Sequence, residues 1–298
     1  IVMSTFKREI KGYIEDVDNY LLAILPVGKM PPENLHKAMH YSVMNGGKRI
    51  RPLLTFASAK ALKMDYKILI PAAAAIELLH CFSLVHDDLP CMDDDDLRRG
   101  RPSTHKVFGE ATAVLAADAL LSLSFEILSS DLSFGGTLSS NSSLISLISN
   151  ATGSKGITGG QQLDLNAEEK MISQSELEHI YRQKTGKLLR ACVLAPSCFI
   201  EISLEKMSAL EKYIDAIGLA FQIKDDIIEA EGSTGIIGKP SKSDIRQGKS
   251  TFPILFGLDE SKKRILELLE LAQNEISVFE EDAAPLQYMA ESIINRKL

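Results

Sequence analysis

Between Val85 and His105 the chain reads VHDDLPCMDDDDLRRGRPSTH, six aspartates within ten positions followed at once by three arginines. Like charges held side by side repel once they leave bulk water, so the acids need a counter-charge. The run follows directly from an apolar stretch, which places Asp87 and Asp88 at the end of a buried helix. Carboxylates there oppose the helix dipole at about 0.3 to 1 kcal/mol each. A divalent cation reverses that sign. Hard oxygen donors suit Mg²⁺, which keeps several waters and binds through one or two carboxylates plus substrate phosphates. A solvated acidic surface is the competing reading of such a run, and its setting at a helix end favours the metal. On a regular helix Asp87 and Asp93 would lie about 120° out of line, but Pro90 disfavours helix at Leu89 and turns the chain so that both acids can face one cavity.

A second acidic helix end lies roughly 140 residues on, in FQIKDDIIEAEGSTGIIGKPSKSD, residues 221 to 244. Asp225 and Glu229 stand at i and i+4 and share a face, with Asp226 about 100° around. The candidate metal ligands are therefore Asp87, Asp88 and Asp93 from the first cluster and Asp225, Asp226 and Glu229 from the second. Bases accompany them. GGKRIRP sets Lys48 and Arg51 at i and i+3 at a helix start, where backbone N–H groups also favour an anion, and Arg98 and Arg99 follow the first acids. The glycine-rich loop after Asp225 carries Lys239, Lys242 and Lys249, without the GxxxxGK[ST] pattern of a P-loop. Acids for metal and separate bases for anion suggest two diphosphates, one gripped through metal and one by basic side chains alone.

The elements that must position these groups read as helices throughout. Met207, Leu210, Ile214, Ile217 and Phe221 form a stripe with spacings of 3, 4, 3 and 4, the mark of one helical face. Gly46 and Gly47 suit a helix end, and Ser173 with Glu176 has capping-box spacing. Helices are expected over roughly 4–25, 32–45, 50–63, 68–88, 109–129, 140–157, 174–200, 204–230, 260–279 and 284–296. The Ser/Gly-rich segment 129–160 reads as the flexible connection. No fixed-period repeat or linker divides the chain, so residues 1–298 are expected to form one helical domain around one cavity.

Bulk properties narrow the function. With 45% hydrophobic and 24% charged residues the chain is globular, and its net charge of −7 disfavours nucleic acid. Cys81, Cys91, Cys192 and Cys198 form neither a CxxC pair nor a disulfide pattern, which fits a reducing compartment. Pro71, Glu77 and His80 interrupt the most apolar stretch, Ile68 to His86, so it reads as a core helix and the protein as no integral membrane protein. The opening IVMSTFKRE lacks a signal-peptide h-region. The expected setting is cytoplasmic, or a plastid or other organelle if a transit peptide has been removed. An EF-hand and the HExxH metalloprotease pattern are both missing.

Together these residues resemble the trans-isoprenyl diphosphate synthases. DDLPCMDDDDLRRG is similar to that family's first aspartate-rich motif and FQIKDDIIE to its second. GGKRIRP, HCFSLVHDD, GGQQLDL, QKTGKLL and GKPSKSDIRQGKSTFP stand in the family's order, so the resemblance spans about residues 40–257. It implies an all-α isoprenoid synthase fold with a deep central cavity, a homodimer, and substrates that are isopentenyl diphosphate and allylic diphosphates. By that resemblance Asp87, Asp93 and Asp225 ligate three Mg²⁺, with Mn²⁺ as a substitute, and hold the allylic diphosphate with Arg98, Lys184, Lys239 and Lys249. Lys48, Arg51, His80 and Arg99 hold isopentenyl diphosphate. Thr185 and Gln222 stabilise the allylic cation. Glu229 stands where the family commonly has an aspartate, and Pro240 where it often has threonine.

Product length turns on residues before the first motif. Phe82 at the fifth position upstream of Asp87, with the two-residue insertion in the motif, is similar to bacterial-type farnesyl diphosphate synthases. Phe82 lies about 7.5 Å up the helix axis from Asp87, although a simple wheel puts Ser83 more nearly in line. A geranylgeranyl diphosphate synthase is the alternative. A terpene cyclase would need no Lys48, Arg51 and His80 site, and a noncatalytic subunit of a heteromeric synthase would lose an aspartate motif, which this chain does not.

Overall fold

The computed structural model describes residues 2–129, 137–168, 170, 172–231 and 250–295, with side chains from Thr5 onward. In chain order its helices are α1 (Val2–Ile24), α2 (Glu33–Met44), α3 (Ile50–Ala61), α4 (Ile70–Asp87), α5 (Thr104–Phe108), α6 (Glu110–Ser129), α7 (Leu138–Thr152), α8 (Ile157–Ala167), α9 (Gln174–Tyr181), α10 (Lys187–Leu194), α11 (Leu204–Glu231), α12 (Phe252–Phe256), α13 (Leu258–Glu275) and α14 (Ala284–Ile294). Among the described residues the one sheet is a two-residue antiparallel pair, Leu97–Arg98 with Arg101–Pro102. The fold is all-α, as the 3.6-residue periodicity demands.

Ala72 to Ala75, Ile76, Leu78 and Leu79 give α4 no polar side. A helix that is apolar all round belongs in the interior, and every residue from Pro71 to Leu79 is buried. It packs along α6, while α3 sits against α10 and α14, and α11 lies along α13. Near its C-terminal end α4 changes character: His80, Ser83, Leu84 and Asp87 are only partly buried. Their i, i+3, i+4 and i+7 spacing makes one stripe. That stripe is the wall of the cavity described below.

Several boundaries agree with the sequence reading. Gly46 and Gly47 take φ of 83° and 129° after α2, and Ser173 with Glu176 forms a reciprocal capping box at α9. Leu210, Ile214 and Ile217 are wholly buried on α11. Other expectations fail. The segment read as flexible is helical from 138 to 152 and again from 157: Thr137 and Ser140 cap α7 reciprocally, and α7 buries Leu144 and Ile148. The expected helix 140–157 stops at Thr152, and α8 begins at Ile157. The expected helix 174–200 is interrupted by a π turn over Arg182–Gly186 and ends in a 3₁₀ turn over Ala195–Cys198. A π turn inserts one residue into the helical ladder and is commonly found at functional sites; here it carries Lys184 and Thr185.

Tyr66–Asp87 and Glu110–Ser129 both have the length and apolarity of a membrane span. The first is mostly buried in the core. The second exposes Val114 and Leu115 on its outer face.

Candidate active site

Asp87 is the last residue of α4 and Asp225 lies in the last two turns of α11, and both line one cavity of about 460 Å³. The helix stops at Asp87 because the following residues enter the turn forced by Pro90. That turn brings the Asp93 N–H onto the Asp87 carbonyl at 2.8 Å, while Asp94 takes φ of 48° and hydrogen-bonds back to Leu89. The turn returns the Asp93 backbone to Asp87, and both acids act on Lys184, although of the two Asp87 alone is among the residues lining the cavity.

The six aspartates divide by partner. Asp88 is buried and accepts two hydrogen bonds from Arg98, through Nε at 2.9 Å and through Nη2, while Asp95 takes the same Nη2 at 3.2 Å. Asp96 pairs with Lys106 at 2.7 Å. The arginine and lysine that follow the acidic run thus neutralise half of it. Asp88, proposed from sequence as a metal ligand, spends its carboxylate on Arg98, and burial pushes it up to about 6 despite that neighbour. The pair holds the guanidinium of Arg98, which lines the cavity.

Asp226 also departs from the ligand set. It is 5% exposed, does not line the cavity, and is held by the Tyr181 hydroxyl, the Phe252 N–H and the Gln222 amide. The wheel position about 100° from Asp225 is the reason. Glu229 is buried one turn beyond Asp225. Asp94, Asp96 and His105 bring ligand atoms within 4.8 Å of one another, but Asp96 is already matched by Lys106 and the group lies away from the cavity.

Basic side chains line the same cavity as the acids. Lys48, Arg51, His80, Arg98, Arg99 and Lys184 share the cavity with Asp87 and Asp225. Arg51 lines the cavity, and its buried Nε has no hydrogen-bond partner among the described residues. Arg99 donates to the Gly46 carbonyl, which ties it to the turn that carries Lys48. Lys184 binds Asp164 of α8 at 2.7 Å, and the negative fields of Asp164, Asp87 and Asp93 outweigh its burial to raise it above the usual lysine range. Lys239 and Lys249 lie outside the described residues.

Burial, reinforced by Arg51, Arg99, Arg98 and Arg49, holds the His80 imidazole well below the ordinary histidine range. The folded protein keeps it neutral while the unfolded chain protonates near 6.5. Unfolding therefore takes up a proton below that pH, and stability falls as pH drops from about 7 toward 5. The thermal midpoint of His80→Gln is expected to fall less than wild type over that interval; an identical fall in both proteins would assign the effect to other groups.

Residues that carry no obvious chemistry hold the cavity open. Arg49, at φ 48° and 3% exposed, donates from Nη1 to Glu77 at 2.9 Å, from Nε to Asp18 at 2.8 Å and from Nη2 to the Val43 carbonyl at 3.0 Å. This buried pair ties the turn bearing Lys48 to α4. On the other side Gly218 of α11 meets the backbone of Gly186, where a Cβ would lie 3.4 Å from the Gly186 Cα. Gln222 stands one turn further along the same face, and Thr185 Oγ1 donates to its Oε1 at 2.8 Å. Sequence reading missed Arg49, Glu77, Asp164 and Tyr181. A single acid inside an otherwise apolar helix was the available signal, since Glu77 there requires a buried cation.

Carboxylate oxygens brought to one cavity from two helices fit a hard divalent cation. The cationic donors that line the same cavity fit phosphate. Phe82 is buried, with its ring edge-on to that of His86 at 4.9 Å, and Ser83 lines the cavity.

Comparison with known proteins agrees with this geometry. The family model described as polyprenyl synthetase matches residues 32–284. A farnesyl diphosphate synthase of Bacillus subtilis is 45% identical over 261 residues, 88% of this chain and 84% of that one. A farnesyl diphosphate synthase of Escherichia coli is 39% identical over 298 residues, covering 98% and 99%. Among solved structures, an apo FPP/GFPP synthase from Zymomonas mobilis superposes with a TM-score of 0.87 at 35% identity, over 98% of this chain and 99% of that one.

Proposed function

Because the chain belongs to the polyprenyl synthetase family, we propose that it is a prenyltransferase making farnesyl diphosphate from isopentenyl diphosphate and dimethylallyl, then geranyl, diphosphate. The condensation is head to tail and gives the E configuration. One observation carries this reading: two acidic helix ends, far apart in sequence, line one cavity together with Lys48, Arg51, Arg98, Arg99 and Lys184. A site for one phosphate would need only one of these two sets of side chains.

Asp87, Asp93 and Asp225 would hold Mg²⁺. The ion supplies Lewis-acid charge to a leaving diphosphate. Arg98 and Lys184 add fixed positive charge beside it. As the allylic C–O bond breaks, the diphosphate keeps the electron pair, and preorganised cations stabilise that developing charge without reorganisation. Oxygens of Thr185 and Gln222 face the cation left behind. Lys48, Arg51, His80 and Arg99 grip the second diphosphate without metal and place the isopentenyl double bond to attack. Loss of a C2 proton completes the new alkene; the departed diphosphate, close by and negative, is the base.

We take the chain as one domain, a homodimer and cytoplasmic. The apolar side chains that α6 exposes, Val114 and Leu115, support the dimer, and the four free thiols fit a reducing compartment.

Incubation with Mg²⁺, isopentenyl diphosphate and dimethylallyl or geranyl diphosphate, followed by chromatography of the dephosphorylated products, tests the reading. A C15 alcohol is expected. A C20 product would make it a geranylgeranyl diphosphate synthase, and no condensation would end the proposal. Phe82→Ala is expected to lengthen products beyond C15, since the ring packed on His86 is removed from the region behind Ser83. An unchanged product spectrum would place the chain-length stop elsewhere.

A further inference from the structure

Asp226 stands beside Asp225, is buried, and is not among the residues lining the cavity. Its Oδ2 accepts from the Tyr181 hydroxyl and, at 3.1 Å, from the Phe252 N–H. Its Oδ1 accepts from Gln222 Nε2 at 3.3 Å. An amide has one donor end and one acceptor end, whereas an ionised carboxylate only accepts. With Nε2 bound to Asp226, the Gln222 Oε1 must point the other way, where it takes the Thr185 hydroxyl hydrogen at 2.8 Å. Turning the amide over would set oxygen against oxygen. The hydroxyl hydrogen of Thr185 is spent in the same chain. What remains on the Thr185 hydroxyl and on Gln222 Oε1 is lone pairs, while the second N–H of Nε2 stays at the Asp226 end of the amide.

We propose that Asp226, braced by Tyr181 and the Phe252 N–H, is a positioning residue that locks the Gln222 amide with its oxygen toward the allylic carbon. The wall at Thr185 and Gln222 then presents acceptors, not donors, to the carbocation. This rests on the reading of the cavity as the site of allylic ionisation. Orientation decides the sign of the effect: a carbonyl oxygen stabilises a nearby cation, and an amide N–H destabilises it. Dipoles fixed before the reaction, in a site that excludes water, act most strongly. The second acid of the FQIKDDIIE motif thereby acquires a role distinct from that of Asp225, which lines the cavity.

The test compares Asp226→Asn with the double variant Asp226→Asn/Gln222→Glu, in the full chain with Mg²⁺ and both substrates. Asparagine keeps one oxygen for Tyr181 and Phe252 and turns an N–H₂ toward residue 222. The Gln222 amide then flips and shows its own donor to the cavity. The expected result is a fall in kcat of roughly 10²-fold, with KM for both diphosphates and the Mg²⁺ dependence near wild type. Glutamate at position 222 accepts from the introduced asparagine amide and from Thr185 and again offers oxygen to the cavity at unchanged total charge. The double variant should regain about tenfold or more of the lost kcat.

Three results would overturn the proposal: unchanged kcat in Asp226→Asn, a change confined to KM or Mg²⁺ dependence, or a correctly folded double variant no faster than the single one. If Asp226→Asn does not fold, Tyr181→Phe decides, since it removes one brace from the carboxylate. A several-fold lower kcat at constant KM supports the role, and an unchanged kcat refutes it. Failure of wild-type protein to condense the substrates would sink the functional reading itself, which separates the two outcomes.

Discussion

Asp87→Ala and Asp225→Ala should each lower turnover by roughly 10³-fold while leaving the helical circular-dichroism spectrum intact. Both carboxylates line the cavity, and neither sits in the apolar packing that stabilises α4 or α11. Removing either leaves the opposing acids unable to complete a cation site between the helices. Asp94→Ala provides the contrast, because Asp94 is exposed on the outer turn and its loss should leave turnover near wild type. Steady-state kinetics on the three variants checks the assignment. Near-normal turnover in Asp87→Ala or Asp225→Ala would remove that residue from the metal site.

A second large effect concerns stability. Glu77→Ala strips the buried Arg49 guanidinium of its partner at 2.9 Å, with both side chains almost inaccessible. Breaking a buried pair from one side costs about 3 to 5 kcal/mol, because a desolvated charge is left behind. Replacing both members by leucine removes the charge as well as the attraction, and should recover most of that loss. Urea denaturation of Glu77→Ala and of the Arg49→Leu/Glu77→Leu pair reads this directly. A loss below about 1 kcal/mol in the single variant would mean that Asp18 alone suffices for Arg49. Since the pair ties the Lys48 turn to α4, the single variant should also weaken the second diphosphate site.

The chemistry was legible in the sequence because charge and spacing are local properties. Six aspartates behind an apolar helix, a second DDxxE at another helix end and separate basic groups already specify metal on one side and anion on the other. Periodicity on α11 and the capping box at Ser173 fixed helices for the same reason. Long-range choices were not legible. Which acids face the cavity depends on helix rotation and on partners distant in the chain: Asp88 is taken by Arg98, and Asp226 by Tyr181, Gln222 and Phe252. Composition misled over the described part of 129–160, whose serines and glycines read as a flexible connection although a helix was expected over 140–157. Its helices are stabilised by the apolar face of Leu144 and Ile148 and by the Thr137 cap, which outweigh weak intrinsic propensity. The π turn at Arg182–Gly186 has no period of its own to read, yet it sets the direction of Lys184 and Thr185.

A calorimetric titration with a non-ionising allylic thiolodiphosphate, in the presence and absence of Mg²⁺, measures the bridge between the two acidic helix ends most directly. Binding to wild-type protein should require Mg²⁺ and should be lost in both Asp87→Ala and Asp225→Ala but retained in Asp94→Ala. Equal binding without Mg²⁺, or undiminished binding in either of the first two variants, would contradict the account.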